Sequence, residues 1–140
     1  MSFAVFFKEM EGGDSVPKRV YKGAEACVTC HQHQGKVWNK TRHAKAFESL
    51  KAVGKQYDPE CIRCHVVGFK SRGFISEKTT PGLKGVQCEN CHGVYRPHEK
   101  GWPERREKLD RMVCKGCHIG SHSPKFKFSK YYPKIAHENP

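Results

Sequence analysis

The chain has no run approaching the roughly 18 consecutive apolar residues that cross a bilayer, so a membrane span is not expected. Apolar residues are scarce throughout. They make up 36% of 140 positions, and the mean hydropathy is −0.77. With 13 glycines, 8 prolines and 29% charged residues, little is left to build an oily core, and a second core is excluded. The length fits one domain-sized unit, and something other than side chains must help to fill its centre. The first seven residues are apolar but lack the basic start of a secretion signal, and they run straight into Lys8, Glu9 and Glu11. An export signal, if one operates, is expected outside this stretch. Methionine is also rare: of Met1, Met10 and Met112, only the last falls among the motifs described next.

No cysteine stands alone. All eight lie in four Cys-x-x-Cys-His motifs: Cys27, Cys30, His31; Cys61, Cys64, His65; Cys88, Cys91, His92; and Cys114, Cys117, His118. From composition alone about 0.03 such motifs are expected by chance in this chain, so four form a specific signal. The chemistry explains the spacing. Two thiols one short turn apart form thioethers to the two vinyl groups of one haem, and the adjacent histidine reaches the iron as proximal ligand. Zinc ribbons also use paired cysteines, and a basic zinc protein would be a nucleic-acid binder. That reading leaves four histidines unexplained, and the gaps here exceed the usual zinc spacing. The expected cofactors are therefore four haem c groups with their iron, and nucleic acid is not the expected partner.

Haem also changes the meaning of charge. Lys and Arg number 26 against 14 acids, a formal +12 that by itself would suggest nucleic acid, an acidic membrane or an acidic partner. Two propionates per haem add up to about eight negative charges and bring the holoprotein much closer to neutrality.

Sixth ligands must come mostly from histidine, because methionine is so rare. Five histidines lie outside the motifs: His33, His43, His98, His122 and His137. Ligation by two histidines favours lower potentials than a Met/His pairing. His43 is the best placed, since a helix predicted over residues 41–53 puts it on one apolar face with Phe47 and Leu50. Thr41 would cap that helix, and Trp38 would pack on a porphyrin. His98 lies in a loop over residues 93–101, too close to His92 to serve the same iron. His137 follows an aromatic and basic stretch over residues 126–135 that suits a haem edge. His122 and His33 sit too near His118 and His31 to bind the neighbouring iron, and His122 is retained as a further candidate. One iron is then left short of a protein ligand and open to a small molecule such as nitric oxide.

Residues 1–20 read as an N-terminal extension or linker, broken by Gly12, Gly13 and Pro17. Residues 21–140 read as the haem domain. A second helix is predicted from Pro103 through Met112 into the fourth motif, with short helices carrying the other motifs. Residues 66–86, rich in glycine and with β-prone side chains near Phe69 and Phe74, read as a loop or small hairpin. The fold expected is mainly α with extensive loops, wrapped around four covalently attached haems, with little or no β.

The pattern resembles the cytochrome c-554 family of multihaem cytochromes, which includes the electron acceptor of hydroxylamine oxidoreductase. The residues that carry it run from Tyr21-Lys-Gly-Ala-Glu-Ala-Cys27, through Trp38, Arg42-His43-Ala44-Lys45-Ala46-Phe47, Tyr57-Asp58-Pro59-Glu60 and Val66-Val67-Gly68-Phe69. They continue through Leu83-Lys84-Gly85-Val86-Gln87 into the third motif with Gly93 and His98, and end with Ser123-Pro124-Lys125-Phe126, Tyr131 and His137. The resemblance implies that His43, His98 and His137 are distal ligands, that haems stack closely in pairs, and that the iron on His65 is five-coordinate. Histidine at position 122 departs from the family pattern and makes His122 a candidate to close that open site. Similar domains occur fused to phosphoesterase domains and in extracellular conducting filaments, so the N-terminal segment would be a remnant of a larger chain or a contact arm.

The function expected is electron transfer through four haems between redox partners in the periplasm or outside the cell, with filament assembly by self-association as a variant. The alternative is reduction of nitric oxide or a related nitrogen compound at a five-coordinate haem.

Overall fold

In the computed structural model, the described residues are 20–96, 98 and 111–137. Residues 1–19 of the N-terminal extension and the start of the helix predicted from Pro103 lie outside them. Seven short helices carry the rest: α1 Ala24–Val28, α2 Gln32–Asn39, α3 Ala46–Lys51, α4 Pro59–Ile62, α5 Cys88–His92, α6 Arg111–Lys115 and α7 Phe128–Tyr131. Two 3₁₀ turns, Pro81–Leu83 and Tyr132–Lys134, complete the set. Among the described residues there is no named strand, only an isolated antiparallel bridge between Val66 and Lys84. The structure is mainly helical with loops, as expected.

Local chemistry explains where the helices start. Asp58 caps α4 by accepting the Glu60 N–H at 3.0 Å, and Pro59 occupies the first helical position, where no N–H is needed. A capping box opens α5, with the Asn90 side chain accepting the Gln87 N–H at 2.8 Å. α1 and α2 cross closely because position 35 is glycine: a Cβ there would lie 2.3 Å from Val28 Cγ1.

Residues 41–53 do not form one helix. The Thr41 hydroxyl turns back to the Trp38 carbonyl at 2.7 Å, and the His43 carbonyl accepts the Val86 N–H at 2.9 Å. The segment 85–86 presses so closely that a Cβ on Gly85 would meet the Ala44 carbonyl at 2.8 Å. Residues 42–45 are therefore turns, and the helix begins at Ala46. Tertiary hydrogen bonding overrides the apolar periodicity. Trp38 donates its indole N–H to the Val86 carbonyl at 2.8 Å.

Residues 66–86 form a loop closed on itself. Val67 N–H meets the Leu83 carbonyl at 2.9 Å, and Phe74 N–H meets the Val67 carbonyl at 2.8 Å. This loop supplies Val66 and Phe74 to a hydrophobic cluster in which they pack with Phe47, Leu50 and Ile62. Burying each such side chain contributes on the order of 1.5–3 kcal/mol. The cluster lies beside the second motif, with Cys61 against it. Residues 111–137 contain no buried residue at all. The segment that carries the fourth motif is thus organised without a side-chain core of its own.

Candidate cofactor sites

Each motif is wound into a helical turn that brings its thiols and imidazole together. The Cys27 carbonyl accepts the N–H groups of Cys30 and His31 at 3.2 and 2.9 Å, and Cys114 does the same for Cys117 and His118 at 3.2 and 2.8 Å. In the second motif Cys64 N–H meets the Cys61 carbonyl and His65 N–H meets that of Ile62, while the third motif is the helix α5 itself.

Three imidazole pairs face one another. His31 and His98 have ring centres 5.9 Å apart, His92 and His137 5.9 Å, and His43 and His118 6.1 Å. Their interplanar angles of 35°, 55° and 45° are not those of stacked rings. Two metal–nitrogen bonds of about 2 Å each, with the ring radii added, put imidazole centres about 6 Å apart across an iron. Each pair joins one motif histidine to one outside the motifs, so the spacing fits an iron between them.

The outer ring nitrogens fit as well. Nδ1 of His65 lies 2.7 Å from the Ala46 carbonyl, that of His98 2.9 Å from the Arg96 carbonyl, and that of His137 2.9 Å from the Ile135 carbonyl. A carbonyl can only accept, so Nδ1 carries the proton and Nε2 presents its lone pair. His118 Nδ1 meets the Ser123 hydroxyl at 2.9 Å, and its ring stacks on Phe126 at 4.1 Å. Burial lowers the pKa of His43, with His118 and His65 adding to the shift. Burial also lowers that of His92, helped by His137 and His31, and that of His118. Neutral imidazole is the form that binds metal.

His65 is different. Among the described residues no second imidazole pairs with its ring, although it lies within electrostatic reach of His43. His122 is exposed, and its ring faces no other among the described residues. The distance from His118 is not the whole reason: His122 N–H is tied back to the Ile119 carbonyl at 3.0 Å, in a turn that keeps the residue on the fourth motif's own segment. His33 lines a shallow basic groove of about 440 Å³ with Lys36, Val37, Lys40, Thr41 and Lys134.

The thiols report which motifs are neighbours. Burial and then the adjacent Cys88 thiol push Cys27 up to about 11. Burial and then Cys64 push Cys117 up to about 12, and Cys64 Sγ lies 4.0 Å from the Gly116 carbonyl. Cys91 is raised by burial and then by Cys114 and Cys88. The first and third motifs thus form one cluster, the second and fourth another, and Cys91 with Cys114 joins the two. Among the described residues no three His, Cys, Asp or Glu side chains converge as a zinc site needs.

Three site-building side chains carry no motif signal of their own. The Gln87 amide donates to the carbonyls of Gly82 and Lys84 at 2.8 and 2.7 Å, and Asn90 donates to the Val66 carbonyl at 2.9 Å. Glu89 accepts backbone N–H groups from two other segments. All three surround the third motif, and two of them occupy its variable positions, where the haem pattern itself asks for nothing.

Comparison with known proteins agrees with this geometry. The family model described as "Cytochrome c554 and c-prime" matches residues 26–93. Cytochrome c-554 of Nitrosomonas europaea is 36% identical over 109 residues, covering 66% of this chain and 46% of the relative. The chain therefore spans about half the length of that curated protein. The solved structure of reduced cytochrome c554 from Nitrosomonas europaea superposes with a TM-score of 0.62 at 26% identity, covering 84% of each chain. With four haem-attachment motifs in turns and facing imidazole pairs, the chain is similar in both sequence and fold to the cytochrome c-554 family of tetrahaem c-type cytochromes.

Proposed function

We propose that the chain is an electron-transfer module that receives and passes single electrons through four thioether-linked haems outside the reducing cytoplasm. Bound haem supplies a one-electron iron couple whose potential is set by axial ligands and surroundings. The residues proposed to hold it are Cys27 and Cys30 with His31 and His98, Cys88 and Cys91 with His92 and His137, and Cys114 and Cys117 with His118 and His43. Cys61 and Cys64 hold the remaining group, with His65 as its only protein ligand.

The observation that carries the reading is the clustering of motifs one with three and two with four, bridged by Cys91 and Cys114. It supports two close pairs in contact, a continuous route from the first motif through the third and fourth to the second. The lysines of the basic groove, Lys36, Lys40 and Lys134, suit propionate carboxylates or an acidic redox partner. No helix among the described residues is long and apolar enough to cross a membrane. A periplasmic or extracellular setting and association into filaments are compatible extensions, with residues 1–20 as a contact arm beside the haem domain of residues 21–140.

Reductive titration tests the proposal. Four one-electron equivalents with a low-spin majority are expected, and a spectrum without that majority would sink it. A second reading rests on His65, whose ring has no imidazole partner among the described residues: reduction of nitric oxide or a related nitrogen compound at that iron. High-spin signal that shifts on adding nitric oxide supports it, and absence of both defeats it.

A further inference from the structure

We propose that Glu89 is a positioning residue that fastens both sides of the first attachment site at once, holding His98 opposite His31. The inference rests on the reading of His98 as a distal ligand and concerns what keeps it there.

Glu89 is one of the two residues between Cys88 and Cys91, yet its side chain serves a different motif. Only 6% of the residue is exposed. A buried carboxylate must be paired or fully hydrogen-bonded, because leaving it bare costs several kcal/mol. Among the described residues no Lys or Arg forms an ion pair with it. Backbone N–H groups take that role, and they come from two directions. Oε2 accepts from Gly23 at 2.9 Å and from Lys22 at 3.1 Å, while Oε1 accepts from Tyr95 at 2.8 Å and lies 3.2 Å from the Lys22 nitrogen. A carboxylate offers both oxygens as acceptors, and charge-assisted bonds of this kind are the strong ones.

Each direction leads to one side of the same site. Lys22 and Gly23 open α1, which carries Cys27 and runs on through Cys30 to His31. Tyr95 begins the segment ending at His98: its neighbour Arg96 offers the carbonyl that meets His98 Nδ1 at 2.9 Å, and the Tyr95 ring lies 6.2 Å from the His98 ring. His98 then faces His31 at 5.9 Å. One carboxylate therefore sets the separation of the two imidazoles through two short covalent arms. The Ala24 N–H, donating to Gln87 Oε1, also ties α1 to the start of the third motif, but that bond does not reach Tyr95.

The test uses the assembled holoprotein and counts high-spin haem by electron paramagnetic resonance and by carbon monoxide bound per chain. His98→Ala is the reference and is expected to add about one high-spin equivalent. Glu89→Ala is expected to add nearly the same equivalent and Glu89→Gln a fraction of it, since a glutamine keeps one acceptor and turns an NH₂ toward the remaining donors. Haem content should stay at four per chain. A merely structural role would lower thermal stability and leave the spin count alone, and that result overturns the proposal. Should Glu89→Ala fail to assemble, Tyr95→Pro removes the one N–H that reaches Glu89 from the His98 side and leaves the carboxylate on Lys22 and Gly23. The same added equivalent is expected there, and an unchanged spin count overturns the proposal. If His98→Ala itself adds no high-spin haem, the ligand reading has failed, and this inference falls with it.

Discussion

His43 and His118 face each other with ring centres 6.1 Å apart, although they come from opposite halves of the chain. His43 is delivered by the turns before α3, whose carbonyls are gripped by the 85–86 segment, and His118 by the fourth motif. Replacing His43 by Ala should leave the fourth iron with one axial imidazole. About one high-spin equivalent should appear without loss of haem, measured by electron paramagnetic resonance. His137→Ala should do the same for the third motif. No change in either variant would refute the assignment of these pairs.

His122 should behave in the opposite way. Its ring faces no imidazole among the described residues, so His122→Ala should leave spin states and the response to carbon monoxide as they are. An added high-spin equivalent would show that His122 does close an axial position.

Haem attachment can be counted directly. In Cys88→Ala/Cys91→Ala the haem-to-polypeptide ratio should fall from about four to about three, read from the pyridine haemochrome against total protein. The protein should also lose thermal stability, because the third motif sits between the first motif and the fourth. A ratio that stays at four would contradict thioether attachment there.

Gly85→Ala should destabilise the fold by about 1–3 kcal/mol, since position 85 has φ of +87° and a Cβ would press on the Ala44 carbonyl. Chemical denaturation measures it. Because the same contact supports the His43 turn, a broadened low-spin signal should accompany the loss. A neutral substitution would show that the segment can move away freely.

The histidines also set a pH dependence. Iron binds only the neutral imidazole, so each ligand that unfolding releases can take up a proton that the folded chain excludes. The unfolded chain then binds more protons than the folded one as pH falls below about 6.5, so stability declines with acid. Denaturation at pH 7.5 and at pH 5.5 should show this direction. Greater stability at the lower pH would contradict it.

The helix over residues 41–53 shows where sequence reasoning ends. The apolar positions Phe47 and Leu50 do mark the buried face of α3, and both enter the core. The first turn fails because the His43 carbonyl is taken by Val86, a partner far away in sequence that no periodicity reveals. The loop at 66–86 was visible in its glycines, but its closure by Val66 and Lys84 depends on pairing across the whole segment. Glu89 was visible only as a variable residue inside a motif.

The chain's cofactor chemistry is determined by sequence alone, because thioether attachment and proximal ligation need residues that are neighbours along the backbone: Cys-x-x-Cys-His carries its own geometry. The shortage of apolar residues likewise announces that side chains do not fill the centre. Which histidine outside the motifs faces which motif histidine was decided only by tertiary structure. So were the joining of motif one to three and two to four, the isolation of His65, and the clasp of Glu89 on Gly23 and Tyr95. These are contacts between segments distant in sequence, and they exist only after backbone donors and acceptors from separate loops have found one another.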